Sequence, residues 1–208
     1  MTACSTAVVS FAGQSLVAMS SETAKPLLLG TTVARRPRRE AALVREAQRG
    51  SADALEELFR RHWRRAHRAA YLVVGDGAAA EDIAQEAFLS AIRALDRFDR
   101  RRPFGPWLHR ITVNRAIDYA RARALRAESA LFDAADAVAP QGGDVSDELL
   151  RGLAGLSPEH RAVIVLRYLL EYTPGEIGEL LDLPRGTVNS RLRRALDRLR
   201  PAIEETGR

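Results

Sequence analysis

The chain of 208 residues has little cysteine and lysine, two residue types that often carry structure or chemistry. Its single cysteine, Cys4, excludes an internal disulfide, and no cluster of cysteine and histidine indicates a metal site. No apolar run approaches the roughly 18 residues that a membrane span requires. The first 19 residues also lack the early basic residues of a secretory signal. These absences predict a protein of the reducing cytoplasm, with no metal, no cofactor and no membrane insertion.

Strand patterns are also nearly absent, whereas apolar residues recur with helical periodicity along most of the chain. The composition, 46% hydrophobic and 28% charged, supplies enough apolar residues for folded cores. We therefore predict an all-α protein with two small helical domains joined by a flexible linker. The predicted segments are a flexible leader at 1–39, a helical domain at 40–125, an Ala-rich acidic linker at 126–146 and a second helical domain at 147–203.

Positive charge is concentrated in two stretches of the sequence. Lys25 is the only lysine, so nearly all of this charge is arginine, which suits phosphate oxygens and guanine edges. Nine arginines lie within 97–126 and six within 185–200, whereas 128–182 holds eleven acids and three arginines. Two basic stretches separated by an acidic one indicate two contacts with one polyanion. A GC-rich genome explains the arginine bias equally well, and solvated basic helix faces would give the same clustering.

The second domain carries the signals of a helix-turn-helix. Thr173, Pro174 and Glu176 make the capping-box start of one helix, and Ser157 with a following proline starts the helix before it. A tight connection is predicted at 183–186, after which Thr187 caps or opens a second helix. That helix has an apolar side and a basic side, and its first turns can reach base edges in the major groove. A helical hairpin with a basic outer face is the alternative. The candidate DNA-binding residues are Arg185, Thr187, Asn189, Ser190, Arg191, Arg193, Arg194 and Arg198.

The first domain contains one helix whose outer face suits a protein partner. Ser51 is predicted to cap the helix before it, glycines at 75 and 77 break the pattern, and the new helix opens at about Ala79. A polar patch with one hydrophobic neighbour is typical of a partner surface, although an ordinary amphipathic helix gives the same pattern. The patch comprises Asp82, Gln85, Glu86 and Leu89, and it faces away from Ile83, Ala87 and Phe88.

Aromatic residues and arginines alternate after this helix. The segment 98–106 is rich in Arg, Pro and Gly, and a further helix is predicted from about Trp107 to Ala124. Single-stranded DNA needs aromatic rings for stacking and cations for its backbone. Asn114 is a candidate reader of an extruded base. Burial in the core is the alternative role for Phe104 and Trp107, and for Trp107 we favour it.

Three stretches in this order resemble the extracytoplasmic-function group of bacterial RNA polymerase sigma factors: AEDIAQEAFLSAIRALDRFD, RPFGPWLHRITVNRAIDYAR and SPEHRAVIVLRYLLEYTPGEIGELLDLPRGTVNSRLRRAL. The resemblance covers about Ala41 to Leu199, with the linker matched in position and length only. It implies two helical domains, sigma region two and sigma region four. It also implies a polymerase subunit that directs transcription initiation and catalyses no reaction itself.

The resemblance also implies roles for individual residues. The helix that carries Asp82, Gln85, Glu86, Phe88 and Leu89 would bind core RNA polymerase. The minus-thirty-five promoter element would be read by Asn189, Ser190, Arg191, Arg193 and Arg194. The implied partners are core RNA polymerase, promoter DNA and an anti-sigma factor, and no small-molecule substrate is implied. The minus-ten promoter element would be melted and read by Arg100, Arg101, Phe104, Asn114, Arg115 and Asp118.

Two positions depart from the family pattern. Gly178 stands where the family usually has Ala, and Asp182 stands where it often has Gly. We expect both to cost some helix or turn stability, although Asp tolerates a left-handed turn.

Other classes of protein are disfavoured by particular features. A conventional repressor or activator would use the same helix-turn-helix, as a dimer on a palindrome, but would not need the docking helix or the melting segment. An enzyme on a helical bundle needs a site, and the sequence shows no nucleophile–base pair and no Gly-rich phosphate loop. A pure protein-interaction adaptor would not need the two basic stretches.

Overall fold

The computed structural model describes residues 36–129 and 147–206. The predicted leader at 1–39 and linker at 126–146 lie outside these residues, except for 36–39 and 126–129, which are helical. The described residues form α-helices, one 3-10 turn at Leu95–Arg97 and one π-helical turn at Val165–Leu169, with no strand among them. The all-α prediction is confirmed. The helices are α1 (Arg36–Ala47), α2 (Ala52–Val74), α3 (Gly77–Ala94), α4 (Phe104–Ser129), α5 (Asp147–Ala154), α6 (Pro158–Ile164), α7 (Pro174–Leu181) and α8 (Arg185–Thr206).

Side-chain caps define the helix starts that the sequence predicts. The Ser51 hydroxyl accepts a hydrogen bond from the backbone N–H of Ala54 at 3.3 Å at the start of α2. Ser157 caps α6, and Pro158 occupies the first turn, where its missing N–H costs nothing. The break at 75–77 is also confirmed, but α3 begins at Gly77 rather than Ala79. The reason is that Asp76 caps it, accepting from the Ala79 N–H at 3.1 Å.

Two other helices begin before their predicted starts. Helix α4 begins at Phe104 rather than Trp107, since Pro106 fits the first turn, where a backbone N–H has no helical partner. Helix α8 begins at Arg185 rather than Thr187, because the Pro184 carbonyl accepts from the Thr187 N–H at 2.9 Å. Helix α4 also continues to Ser129, past the predicted end near Ala124.

The N-terminal half, α1 to α4, packs around an apolar cluster between α2, α3 and α4. Leu58 and Leu108 are at most 2% exposed at its centre. Ring contacts extend it, with Phe98 stacked on Trp107 at 4.4 Å between centroids. This packing fixes α3 and α4 side by side, so that their outer faces form one continuous surface.

The C-terminal half, α5 to α8, packs α6 and α7 against α8. Val188 and Leu192 of α8 are buried as the helical periodicity predicts, together with Ala195 and Leu199. The side of α8 away from these residues is therefore free to face solvent.

The two halves are in direct contact. Helix α2 contacts α5 and α6, and α4 contacts α6 and α7. One apolar cluster contains residues of both halves, among them Val73 and Val113 from the N-terminal half and Val163 and Leu166 from the C-terminal half. The prediction of a linker says nothing about this contact.

Candidate nucleic-acid and partner interfaces

The helix-turn-helix starts with the predicted capping box. The Thr173 hydroxyl accepts from the Glu176 N–H at 3.3 Å, and the Glu176 carboxylate accepts from the Thr173 N–H at 2.8 Å. The pKa of Glu176 is lowered, first by its bond to the Thr173 side chain and then by the bond to the Thr173 backbone. The box therefore satisfies two backbone N–H groups at the start of α7.

The turn between α7 and α8 explains both departures from the family pattern. Asp182 adopts a left-handed conformation, with φ 56° and ψ 50°, at the end of α7. The chain then folds back so closely that the Leu183 N–H bonds to the Gly178 carbonyl at 2.8 Å. A Cβ on Gly178 would lie 2.6 Å from the Leu183 carbonyl oxygen, which is backbone and cannot turn aside. Gly178 is thus demanded by the turn, which corrects the expectation that it only weakens the helix.

The outer face of α8 presents the predicted DNA-binding residues. Ser190 is partly buried and donates to the Thr187 carbonyl at 2.9 Å. Arg191 and Thr187 are also partly buried, at the edge of the face. No ion pair within the described residues engages the arginines of this face, so their charge is available to a polyanion. The exposed members are Arg185, Asn189, Arg193, Arg194 and Arg198.

The positive charges of these arginines affect a histidine on the neighbouring helix α6. The pKa of His160 in α6 is lowered, first by burial and then by the positive charges of Arg198 and Arg191. Arg194 adds to the same effect. Glu159 acts in the opposite direction, and within 185–200 α8 carries one exposed acid, Asp197, which pairs with Arg200 at 3.6 Å. The net surface of this part of α8 is therefore positive, which is the electrostatic requirement for a nucleic-acid contact.

The segment before α4 divides into exposed cations and buried rings. Arg100 and Arg101 are exposed, and the Arg101 N–H bonds to the Asp99 carboxylate at 2.9 Å. Phe104 is 4% exposed, with its ring 5.7 Å from that of Trp107, which is partly buried. Phe104 is therefore a core residue in this structure and cannot stack on a base. Its ring lies inside because α4 begins at this residue and turns it toward α2.

The outer face of α4 carries three of the candidate residues for the minus-ten element. Asn114 and Arg115 are partly buried and Asp118 is exposed. The Arg115 guanidinium crosses to α3, where it donates to the Glu86 carboxylate and the Ser90 hydroxyl, each at 2.7 Å. Asp118 lies 3.8 Å from Arg121. The sequence did not predict the Glu86–Arg115 pair, which joins the α4 face to the α3 face.

The outer face of α3 is exposed as the sequence predicts. Asp82, Gln85 and Glu86 face solvent, and Leu89 is 50% exposed. Phe88 is only 4% exposed and supports this face from the core, so it is not available to touch a partner in this structure.

Two exposed apolar side chains beside the α3 face were not predicted. Ile92 is 45% exposed and Phe59 of α2 is 41% exposed. The Phe59 ring lies 4.9 Å from that of Phe88 and 4.8 Å from that of Trp63. The available signal was the position of Ile92, three residues after Leu89, which places the two side chains next to each other on the helix.

Among the described residues, neither a metal-binding group nor a membrane-spanning helix is found. No group of three or more His, Cys, Asp or Glu side chains among them is arranged to hold a metal ion. No helix in the described ranges combines the length and the hydropathy that a membrane crossing needs.

Comparisons with known proteins agree on one family. Residues 58–126 match the family described as Sigma-70 region 2, and residues 152–201 match Sigma-70, region 4. The chain is similar to the ECF RNA polymerase sigma factor SigW of Bacillus subtilis, with 34% identity over 178 residues, 78% of this chain and 95% of that protein. It is similar to the ECF RNA polymerase sigma-E factor of Escherichia coli, with 35% identity over 175 residues, 75% of this chain and 90% of that protein. A solved structure of CnrH in complex with the cytosolic domain of CnrY has 29% identity and a TM-score of 0.61, over 80% of this chain and 97% of that one.

Proposed function

The chain belongs to the extracytoplasmic-function group of RNA polymerase sigma factors. On that premise we propose which of its surfaces bind promoter DNA and which surface binds core polymerase. As a sigma factor it joins core RNA polymerase and directs transcription initiation at promoters. We assign residues 40–125 to region two and residues 147–203 to region four. The matched ranges 58–126 and 152–201 lie within or next to these bounds and support the division.

Helix α8 reads the minus-thirty-five element in the major groove. The observation that carries this role is a set of exposed arginines on the second helix of a helix-turn-helix, none of which pairs with an acid in the described residues: Arg185, Arg193, Arg194 and Arg198. Arg193 and Arg194 lie past the first turn, where a bidentate contact with guanine is worth about 1–3 kcal/mol of discrimination. Asn189 suits adenine, and Arg198 lies where a phosphate contact is geometrically natural.

Region two binds the minus-ten element along α4 and the segment before it. Arg100 and Arg101 supply exposed cations for the DNA backbone, and Asn114 supplies amide hydrogen bonds for a base. Arg115 and Asp118 complete the candidate face. Phe104 is buried in the core, so it could stack on a base only after the segment before α4 had moved. We therefore leave Phe104 out of the proposed face.

The outer face of α3 docks on core polymerase. Three exposed polar side chains, Asp82, Gln85 and Glu86, share this face with Leu89, which is half-exposed. Ile92 and Phe59 extend the apolar part of this face, which gives the mixture of apolar centre and polar rim that protein interfaces show.

An anti-sigma factor is the expected regulator. A solved neighbour, the sigma factor RpoE of Bartonella quintana, is in complex with the anti-sigma factor NepR and covers 72% of this chain. At 20% identity that likeness concerns the fold. We propose that the chain itself catalyses no reaction and acts beside polymerase in the cytoplasm.

In vitro transcription with purified core polymerase on genomic fragments tests this function. We expect start sites that appear only when the protein is added, and reduced co-purification with core polymerase for Glu86→Arg. A conventional repressor or activator would instead footprint its promoter without polymerase. Initiation that is equally efficient without the protein would rule out the proposed function.

A further inference from the structure

Three exposed apolar side chains lie together at one edge of the N-terminal half. Four large hydrophobic side chains are exposed among the described residues, and three of them are Phe59 of α2 and Leu89 and Ile92 of α3. Leu89 and Ile92 are one turn apart on α3, and the Phe59 ring lies 4.9 Å from the Phe88 ring of the same helix. Single exposed apolar residues are ordinary on a protein surface, whereas a contiguous group marks an interaction site.

The same edge contains an apolar cleft between α2 and α3. Its lining includes Leu55 and Phe59 of α2, Phe88 and Ile92 of α3, and Leu95 of the turn that follows. The cleft holds about 270 Å³ of empty space, part of which is open to solvent. All of its lining side chains are apolar, so the cleft suits an apolar side chain rather than a polar one.

The surface around the cleft is acidic. Helix α3 and the turn after it, 77–97, carry four acids and two arginines, and all four acids are exposed. The first half of α2, 52–63, adds three acids and two arginines. The remaining arginines of α2 begin at Arg64, more than one turn past Phe59. An occupant that combines apolar side chains with positive charge would therefore complement both the cleft and its rim.

The chain itself contains a segment with this combination. Residues 25–39 read KPLLLGTTVARRPRR, with three consecutive leucines at 27–29, five basic residues and no acid. Residues 25–35 lie outside the described residues, and 36–39 begin α1. The match to region two begins at residue 58, so the segment precedes the part of the chain that the family match covers.

The segment is attached close enough to reach the cleft. The Glu40 carboxylate of α1 lies 2.7 Å from Nε2 of His62, and Phe59 is one turn before His62 on α2. Arg36, the first residue of α1, is about 6 Å before Glu40 along the helix. Seven residue steps join Leu29 to Arg36, and an extended chain of that length spans up to about 24 Å. The leucines can therefore reach the cleft with α1 and α2 in their present positions.

We propose that the leucines at 27–29 occupy the α2–α3 cleft of the same chain and so compete with core polymerase for the outer face of α3. The basic residues on both sides of the leucines face the acids of the rim. This competition rests on the proposed function, because Phe59, Leu89 and Ile92 belong to the surface assigned to polymerase. Polymerase then binds only the chains whose cleft is empty, so the segment lowers the apparent affinity for polymerase by that fraction.

Disulfide trapping tests the occupancy of the cleft without polymerase. In a Cys4→Ser background, Leu28→Cys is combined with Ile92→Cys at the cleft or, as the control, with Leu125→Cys at another exposed apolar position, on α4. We expect about tenfold more intramolecular disulfide at the cleft under mild oxidation, because a disulfide forms only when two Cα atoms come within about 7 Å. Equal yields in the two proteins, or a disulfide that joins two copies of the chain, would overturn the proposal.

The affinity for core polymerase supplies a second measurement. Leu27→Ser together with Leu28→Ser removes two apolar side chains from the segment, and we expect the affinity to rise about tenfold. Val8→Ser together with Val9→Ser makes the same kind of change farther from α1 and should leave the affinity unchanged. Both pairs lie outside the described helices, so neither change removes a contact of the described fold. Equal affinities for the two variants would refute the competition.

The two proposals fail in different ways. A chain that forms the disulfide at the cleft but never binds polymerase or starts transcription would disprove the proposed function and leave the occupied cleft standing. A chain that starts transcription normally, with no preferred disulfide at the cleft and no gain in affinity from the leucine substitutions, would disprove the occupied cleft alone.

Discussion

Acid should destabilise this protein through one buried imidazole. Burial is the main cause that lowers the pKa of His109 to about 3, and the positive charges of His62 and Arg65 add to it. The Glu40 carboxylate acts in the opposite direction, and Tyr172 is the polar neighbour from the C-terminal half. In the unfolded chain the same imidazole has an ordinary pKa near 6.5.

The sign and size of the effect follow from proton linkage. The unfolded state binds more protons than the native state at any pH between the two pKa values, so stability falls as the pH drops below about 6.5. With a pKa of about 3 for His109 in the native state and about 6.5 in the unfolded state, the free energy of unfolding falls by about 2 kcal/mol between pH 7.5 and pH 5.0. Below about pH 3 the loss from this group stops growing, because both states are then protonated.

Urea unfolding followed by circular dichroism at pH 7.5, 6.0 and 5.0 measures this loss. The matched variant is His109→Gln, whose amide keeps a donor and an acceptor for Tyr172 but does not titrate. We expect the wild-type protein to lose about 2 kcal/mol more than the variant over this range. His160, whose pKa is also lowered by burial, titrates equally in both proteins and cancels. The same pH dependence in both proteins would show that His109 is not held neutral in the core.

Three further changes test the surfaces and the turn. Gly178→Ala should lower the free energy of unfolding by about 1–2 kcal/mol, because the clash with the Leu183 carbonyl outweighs a gain of about 1 kcal/mol in helix propensity. Unchanged stability in urea would contradict the close approach of the Leu183 carbonyl to residue 178. Glu86→Gln should raise the affinity of the isolated protein for single-stranded minus-ten DNA by about two- to fivefold, because it releases Arg115 from an exposed ion pair; equal fluorescence anisotropy titrations would refute this. Arg194→Ala should cost about 1–3 kcal/mol and relax preference at one upstream base pair, and unchanged promoter selection in a binding assay would count against its role.

Local signals in the sequence predicted the helix-turn-helix well. The capping box at Thr173 and Glu176 and the periodicity behind Val188 are both visible without tertiary information, and the structure confirms them. Helix α8 begins two residues before its predicted start because the Pro184 carbonyl accepts a hydrogen bond from the Thr187 N–H. This is a backbone effect that side-chain patterns do not show. The requirement for glycine at 178 was missed for a related reason. It arises from the backbone carbonyl of Leu183, which is five residues later in the chain.

Contacts between distant segments were beyond sequence reasoning. Periodicity places Phe88 opposite the polar face of α3, but for Phe104 it leaves burial and base stacking both open, and the packing of α4 against α2 decides for burial. The Arg115–Glu86 pair joins residues 29 positions apart, and the His109–Tyr172 bond joins residues 63 apart. No local pattern specifies such pairs, because each depends on which helix faces which after folding.

The Glu86–Arg115 pair has a consequence for how the two functions of region two are connected. Glu86 belongs to the proposed polymerase face, and Arg115 belongs to the proposed DNA face, yet each is the other's partner in the free chain. A polymerase group that takes Glu86 therefore releases Arg115, and DNA that takes Arg115 releases Glu86, so the two partners assist each other by the same factor. Because both side chains are substantially exposed, at 39% and 65%, the coupling is small, at most about 1 kcal/mol.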